Sequence, residues 1–274
     1  MCIRDRGYTG TYRQFNFETN RAFIDATTLD TSFSDLDQER AIHTGFGLEH
    51  YLTPELLLKA EIFNKTYDLL AVNVADDPLE TFANQGLGRA QGLELLLHQV
   101  RGTPLQGWVS YTYSKSERKP KDTWETPPFD ITHMLNLYGE YQFEGWTLTS
   151  VLKFNTGLPY TPIVGYTTDP DTGQTTYQKG DANSKRLPDT FRVDLWVEFP
   201  VVEMLVPIPF LPISDDHFLG IFPVLHFKGK TRLGAYNVLN TQNPTRYSYD
   251  RKKKEETFVY DFPLMPVFGV MIEF

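Results

Sequence analysis

Val267-Phe268-Gly269-Val270-Met271-Ile272-Glu273-Phe274 closes the chain, and the alternation in it decides the fold. Counted back from the end, Phe274, Ile272, Val270 and Phe268 share one face of an extended strand. Glu273, Met271, Gly269 and Val267 share the other, because side chains along a strand alternate with a period of two. One face is wholly apolar and ends on an aromatic. A strand that meets hydrocarbon on one side and a wet lumen on the other has this pattern, with aromatics at the membrane interface. The same pattern recurs upstream. Leu93, Leu95 and Leu97 oppose Glu94 and His98, and Val109, Tyr111 and Tyr113 oppose Ser110, Thr112 and Ser114. Val193, Leu195, Val197 and Phe199 oppose Arg192, Asp194, Trp196 and Glu198.

Working outward, strands are expected over 7–15, 39–52, 56–67, 86–100, 108–115, 137–143, 147–155, 191–199, 232–239 and 263–274. Residues 55–65 also hold good helix formers, but Leu56, Leu58, Ala60 and Ile62 alternate with Lys59 and Glu61 at the strand period. Most of these segments approach the roughly 9–11 residues that a tilted barrel strand needs to cross a bilayer. The connections alternate in length. Tight turns fall at 53–54, 101–106 and 144–145, and long polar loops at 16–38, 71–85, 116–129, 156–188 and 241–262. The fold class expected is therefore all-β, an antiparallel up-and-down transmembrane β-barrel. A Pro-rich apolar insertion over 200–228 breaks the scheme, as parity puts it on the short-turn side, where a hairpin extension or a periplasmic excursion is expected. Trp108 and Trp146 follow two of the tight turns and are expected at the height of an interfacial aromatic girdle.

Composition agrees. Aromatics make up 14% of the 274 residues, led by 20 Phe and 15 Tyr, which suits girdles or a β core rather than a helical bundle. Mean hydropathy is −0.36, yet barrel strands show lipid only every second residue, so bulk polarity does not exclude the membrane. No run of roughly 20 apolar residues is present for a spanning helix. A net charge of −9 argues against nucleic acid as a partner, since phosphate binding needs clustered Lys and Arg. Residues 1–6, Met1-Cys2-Ile3-Arg4-Asp5-Arg6, have no apolar signal-peptide core and resemble a translated adapter remnant. They are expected to be a non-native leader, with the native start missing. The lone cysteine, Cys2, lies there, so no disulfide framework is expected.

No cofactor or metal site is expected. His43, His50, His98, His133, His217 and His226 show no metal-ligand spacing, and Asp169-Pro170-Asp171-Thr172-Gly173 reads as a polar turn rather than a calcium loop. Asp215-Asp216-His217 is the one constellation that suggests hydrolysis, but adjacent strand residues point apart, so a turn is the better reading. Glu94, Glu140, Arg192, Asp194 and Glu198 are the candidate lumen-facing residues.

Several stretches resemble the C-terminal barrel of TonB-dependent outer-membrane receptors. They are Gly88-Arg89-Ala90-Gln91-Gly92-Leu93-Glu94, Pro128-Phe129-Asp130-Ile131-Thr132-His133, Asn155-Thr156-Gly157-Leu158-Pro159-Tyr160-Thr161-Pro162, Arg186-Leu187-Pro188, and Tyr236-Asn237-Val238-Leu239-Asn240-Thr241-Gln242-Asn243-Pro244. The terminal Phe268, Val270, Ile272 and Phe274 are similar to the signal read by the barrel-assembly machinery. The resemblance implies a 22-stranded barrel in outer-membrane lipid. An N-terminal plug fills it and couples to the TonB complex, and a scarce siderophore, vitamin, glycan or peptide is imported. Residues 7–274 are then expected to be about ten strands of that barrel, without the plug. The rival expectations are a complete small outer-membrane barrel, acting as a protease-like enzyme or a passive porin, and a soluble β-sandwich.

Overall fold

The computed structural model describes residues 2–12, 36–73, 82–99, 102–207 and 224–273. Ten long strands form one sheet: β1 (Cys2–Tyr12), β2 (Glu39–Thr53), β3 (Leu56–Asn73), β4 (Phe82–Gln99), β5 (Leu105–Lys119), β6 (His133–Phe143), β7 (Trp146–Asn155), β12 (Thr190–Pro207), β13 (Val224–Tyr236) and β16 (Met265–Glu273). Each pairs antiparallel with the next along the chain. The remaining strands lie in two connections. β8 (Pro159–Tyr160), β9 (Ile163–Thr168), β10 (Thr175–Lys179) and β11 (Lys185–Arg186) fall between β7 and β12. β14 (Pro244–Asp250) and β15 (Glu255–Tyr260) fall between β13 and β16.

The tight turns follow from local chemistry. Glu144 and Gly145 both have positive φ, 46° and 83°, the backbone of a two-residue turn whose twist matches the strands it joins. At the β2–β3 turn the Thr53 hydroxyl accepts the amides of Glu55 and Leu56 at 3.3 and 3.1 Å. These turns lie at one end of the sheet, and the described long connections, β5–β6, β7–β12 and β13–β16, lie at the other.

Register then sorts every strand into two faces. One cross-strand row reads Leu48–Ala60–Leu95–Tyr111–Leu135–Phe154–Phe191. Another reads Tyr141–Leu148–Val197–Leu233–Phe268. Among the described residues no second layer covers these apolar rows. Among the described residues the buried hydrophobics are Leu57, Leu70 and Leu187 alone, whereas Phe46, Ile62, Leu148, Leu233, Phe268 and Val270 stand exposed. A sandwich buries one apolar face of each sheet against the other. The described residues do not form such a sandwich. What the outward face needs is an apolar surround.

Two expectations change, the strand ends and the contents of two loops. β3, β4, β5 and β6 are longer than expected at the loop end, where β3 continues to Asn73 and β4 begins at Phe82. A bulge between Tyr67 and Leu70 shifts the register there and hides the alternation. The expected loops 156–188 and 241–262 hold the small strands β8–β11 and β14–β15. The insertion 200–228 is strand at both ends, with Pro207 paired to Val224, so its described part extends the β12–β13 hairpin. Residues 2–6 pair along β2, from Cys2 opposite Glu49 to Arg6 opposite Gly45, a pairing that does not bear on whether they are native. Phe274, and the Asp215-Asp216-His217 triplet, lie outside the described residues.

Candidate functional site

The polar face is the first part of the site. Glu94, Glu140, Arg192, Asp194 and Glu198 all fall on it, because β4, β6 and β12 present their even-numbered residues on that side. The structure splits them into two kinds. Arg192 and Asp194 form an ion pair at 3.0 Å, and Glu198 pairs with Arg232. Glu140 accepts the Tyr138 hydroxyl at 2.8 Å and the Gln142 amide at 2.6 Å. Glu94 stands exposed and makes no hydrogen bond or ion pair among the described residues. It lies directly across from Glu61 on β3, which faces the same way. Like charges opposite each other on a sheet repel. Glu61 was readable as a polar-face residue, but its position beside Glu94 depends on a register that sequence does not give.

Trp108 and Trp146, expected together at girdle height, lie on opposite faces. Trp146 is on the apolar face, stacked with Phe199 at 4.8 Å between ring centres and with Phe143 at 6.3 Å. Trp108 is on the polar face, stacked on Tyr138 at 6.4 Å. The parity that sets Trp108 with Ser110 rather than Val109 decides this.

At the loop end the sequence stretches around Asp130, Gly157 and Arg186 meet in one node. The Arg186 guanidinium reaches the Asp130 carboxylate, and also donates to the carbonyls of Asp130 and Gly157 at 3.1 and 3.0 Å. Asp130 is 2% exposed and takes the Ser116 amide on its other oxygen at 2.7 Å. Thr156 caps the start of β6 by accepting the amides of Thr132 and His133, each at 3.0 Å. Gly157 allows the close approach: a Cβ there would lie 1.7 Å from the Leu187 carbonyl oxygen. A second node centres on Asn237, 1% exposed with φ 51°. Its amide nitrogen of the backbone donates to Asp194 at 2.8 Å, and its side chain binds Thr241 and the Phe262 carbonyl.

Held by these nodes, the two loops pack on each other. Tyr160 stacks on Tyr247 at 4.3 Å and donates to Glu256 at 3.2 Å, and Lys185 pairs with Glu256 at 2.7 Å. Burial, and then the Glu256 charge, push the Tyr160 phenol up to about 12. The hydroxyl therefore stays a donor across neutral pH. Tyr166 and Tyr177 both approach Tyr249 at 6.4 Å. Asp169, at the β9–β10 turn, accepts the amides of Asp171 and Thr172 at 2.8 and 3.4 Å, which hold its carboxyl below the usual range. That is the expected polar turn. Beside the first node lies a polar hollow of about 560 Å³, lined by Trp124, Asp181, Asn183, Ser184 and Arg186 among others. No expected site residue lines it.

The model of a family described as TonB dependent receptor-like, beta-barrel, matches residues 5–238. The chain belongs to this family. Among solved structures it is similar to the ferric-catecholate import receptor Fiu of Escherichia coli K12, with a TM-score of 0.55 and 15% identity. That match covers 87% of this chain and 28% of the receptor. It is also similar to the ferripyoverdine receptor of the outer membrane of Pseudomonas aeruginosa, with a TM-score of 0.58, 14% identity, and coverage of 98% of this chain and 30% of that one. The outer membrane transporter YddB of Escherichia coli gives 0.51 and 11%, with 87% and 33% covered. The chain thus spans about a third of the length of these proteins. No curated protein matches it in sequence. Membership in a β-barrel family accords with the single antiparallel sheet, whose apolar rows carry no covering layer among the described residues.

Proposed function

We propose that the chain is the C-terminal wall of the barrel of an outer-membrane receptor for energised uptake of a scarce ligand, a siderophore, vitamin, glycan or peptide. Its outward face meets outer-membrane lipid. Its inward face, with Glu94 and Glu61 unpaired among the described residues, meets a plug domain supplied by a further part of the receptor, through which TonB delivers energy. The barrel-assembly machinery reads Phe268, Val270, Ile272 and Phe274. The observation that carries the reading is the asymmetry across the middle of one sheet, apolar rows without cover on one face and polar and charged side chains on the other. Alternation of this kind is what a strand between lipid and a wet interior requires. The two loops locked by Tyr160, Tyr247 and Glu256 then frame the ligand's approach on the side away from the tight turns.

Two results test it. In vesicles with brominated acyl chains, a variant keeping Trp146 as its sole tryptophan is expected to lose most of its fluorescence, and one keeping Trp108 to lose little. Equal quenching of the two would reject a wall with these faces. Deleting the complete gene is expected to abolish growth on one scarce iron or carbon source while leaving growth on rich medium intact. Unchanged growth across all single sources would reject the uptake role.

A further inference from the structure

Along β4 and β5 the outward positions climb from the turn end to the loop end as the pairs Leu97–Val109, Leu95–Tyr111, Leu93–Tyr113, Gln91–Lys115, Arg89–Glu117 and Leu87–Lys119. The unbroken apolar run stops at Leu93–Tyr113, and charge begins one pair later. Arg89 and Lys115 converge on Glu117, with Lys115 Nζ 3.1 Å from one carboxylate oxygen and Arg89 on the other. The Arg89 guanidinium also lies 4.4 Å from the centre of the Trp124 ring. On the neighbouring strands Arg40 and Asp68, opposite each other and facing the same way, pair at 2.7 Å. Lys119 also faces outward by register, and no carboxylate pairs with it among the described residues. On these strands the outward band thus holds Arg40, Arg89, Lys115 and Lys119 against Asp68 and Glu117. A positive surplus on a chain of net charge −9 is a local arrangement, not a reflection of composition.

The band has a position as well as a sign. Across β7 and β12 the outward positions, Ser150 apart, stay apolar up to Phe154 and Phe191, so among the described strands the cations gather in one sector of the loop end. The turn end carries Phe143, Trp146 and Phe199 instead. Arg89 and Lys115 are about half exposed, at 53% and 52% of their side chains, so neither is consumed by Glu117.

We propose that this band binds the phosphate groups of lipid headgroups in the leaflet on the loop side. The inference rests on the reading of the sheet as a membrane wall. Long cationic side chains just beyond an apolar belt lay their stems along the hydrocarbon edge and put their charge at headgroup depth. A guanidinium offers several donors in a fork that fits phosphate oxygens, and Lys115 and Lys119 add rotating ammonium donors beside it. Glu117 and Trp124 hold Arg89 in place, which lowers the ordering cost when a phosphate arrives. Charge at this height strengthens association with an anionic leaflet by several-fold per cation.

The test uses the protein extracted from its membrane in neutral detergent, offered phosphatidic acid, phosphatidylcholine or inorganic phosphate, and read by native mass spectrometry. Phosphatidic acid is expected to be retained at least fivefold over phosphatidylcholine. Arg89→Gln with Lys115→Gln removes that preference, whereas Lys59→Gln with Lys153→Gln, on the inward face, leaves it unchanged. Lys115→Gln alone, at an exposed side chain, halves the preference or more and keeps the test open if the double variant does not fold. Equal retention of both lipids, indifference to the outward substitutions, or displacement of phosphatidic acid by equimolar inorganic phosphate each overturns the proposal. Failure to retain any lipid, the neutral one included, instead overturns the membrane-wall reading beneath it.

Discussion

Replacing Arg186 by leucine is expected to destabilise the loop end of the wall by about 2–3 kcal/mol. The Asp130 side chain is only 1% exposed, and Arg186 is its ionic partner. Removing one member of a buried pair leaves the other charged and unsolvated, which typically costs about 3–5 kcal/mol. Two facts lower the figure here. The Arg186 side chain is 37% exposed, and Asp130 keeps the Ser116 amide at 2.7 Å and the Thr132 hydroxyl at 3.3 Å. The carbonyls of Asp130 and Gly157 also lose their donor. Because the node ties the loop over 156–189 to the start of β6, the loss shows first as cleavage of that loop by added protease, well before the sheet melts. Asp130→Asn placed on top of Arg186→Leu is expected to restore much of the resistance, since the stranded charge is then gone. If Arg186→Leu is cleaved at the wild-type rate, the node does not hold the loop. If the double variant is as labile as the single one, lost shape rather than stranded charge is the cause.

The node also marks where sequence reasoning stops. Strand alternation is a local property with a period of two, so Val109–Ser114 or Val193–Glu198 announce their faces without any knowledge of neighbours. The up-and-down order followed from the contrast of tight and long connections, and the structure keeps it. The nearness of Trp108 to the 101–106 turn suggests girdle height, and height says nothing about face. The ends of β3 and β4 were hidden because a bulge at Tyr67–Leu70 changes the register, so that the apolar residues stop alternating. Strands β9 and β10 are short and polar, and their one signal is the Asp169–Gly173 turn between segments rich in Thr and Tyr. The partners Asp130 and Arg186 lie 56 residues apart, and no spacing rule joins them. Family resemblance marked both stretches without saying that they touch. The opposition of Glu61 and Glu94, and the outward band at Arg89, Lys115 and Lys119, appear only when strands are set side by side in register.

Asn237 is the position at which a single substitution is expected to cost most. Its φ of 51° lies in the left-handed region, which asparagine adopts more readily than leucine. Its side chain donates to the Thr241 and Phe262 carbonyls at 2.9 and 3.2 Å, and accepts the Thr241 amide and hydroxyl at 3.0 and 2.9 Å. All of this happens at 1% exposure, so no water replaces what is lost. Asn237→Leu combines backbone strain of about 1–2 kcal/mol with buried polar groups left unpaired at about 1–3 kcal/mol. A total of about 2–5 kcal/mol follows. Asn237→Gly removes the strain but not the lost bonds, and should fall between leucine and wild type. Amide hydrogen exchange separates the two contributions. The Thr241 and Phe262 region is expected to exchange faster in both variants, because both lose the side-chain bonds. The Asn237 and Val238 amides, which donate to Asp194 and to the Val193 carbonyl at 2.8 Å each, are expected to exchange faster only where the backbone itself is strained. If glycine and leucine expose those two amides equally, strain is not the cause, and the Asn237 side chain alone ties the loop over 241–262 to β12.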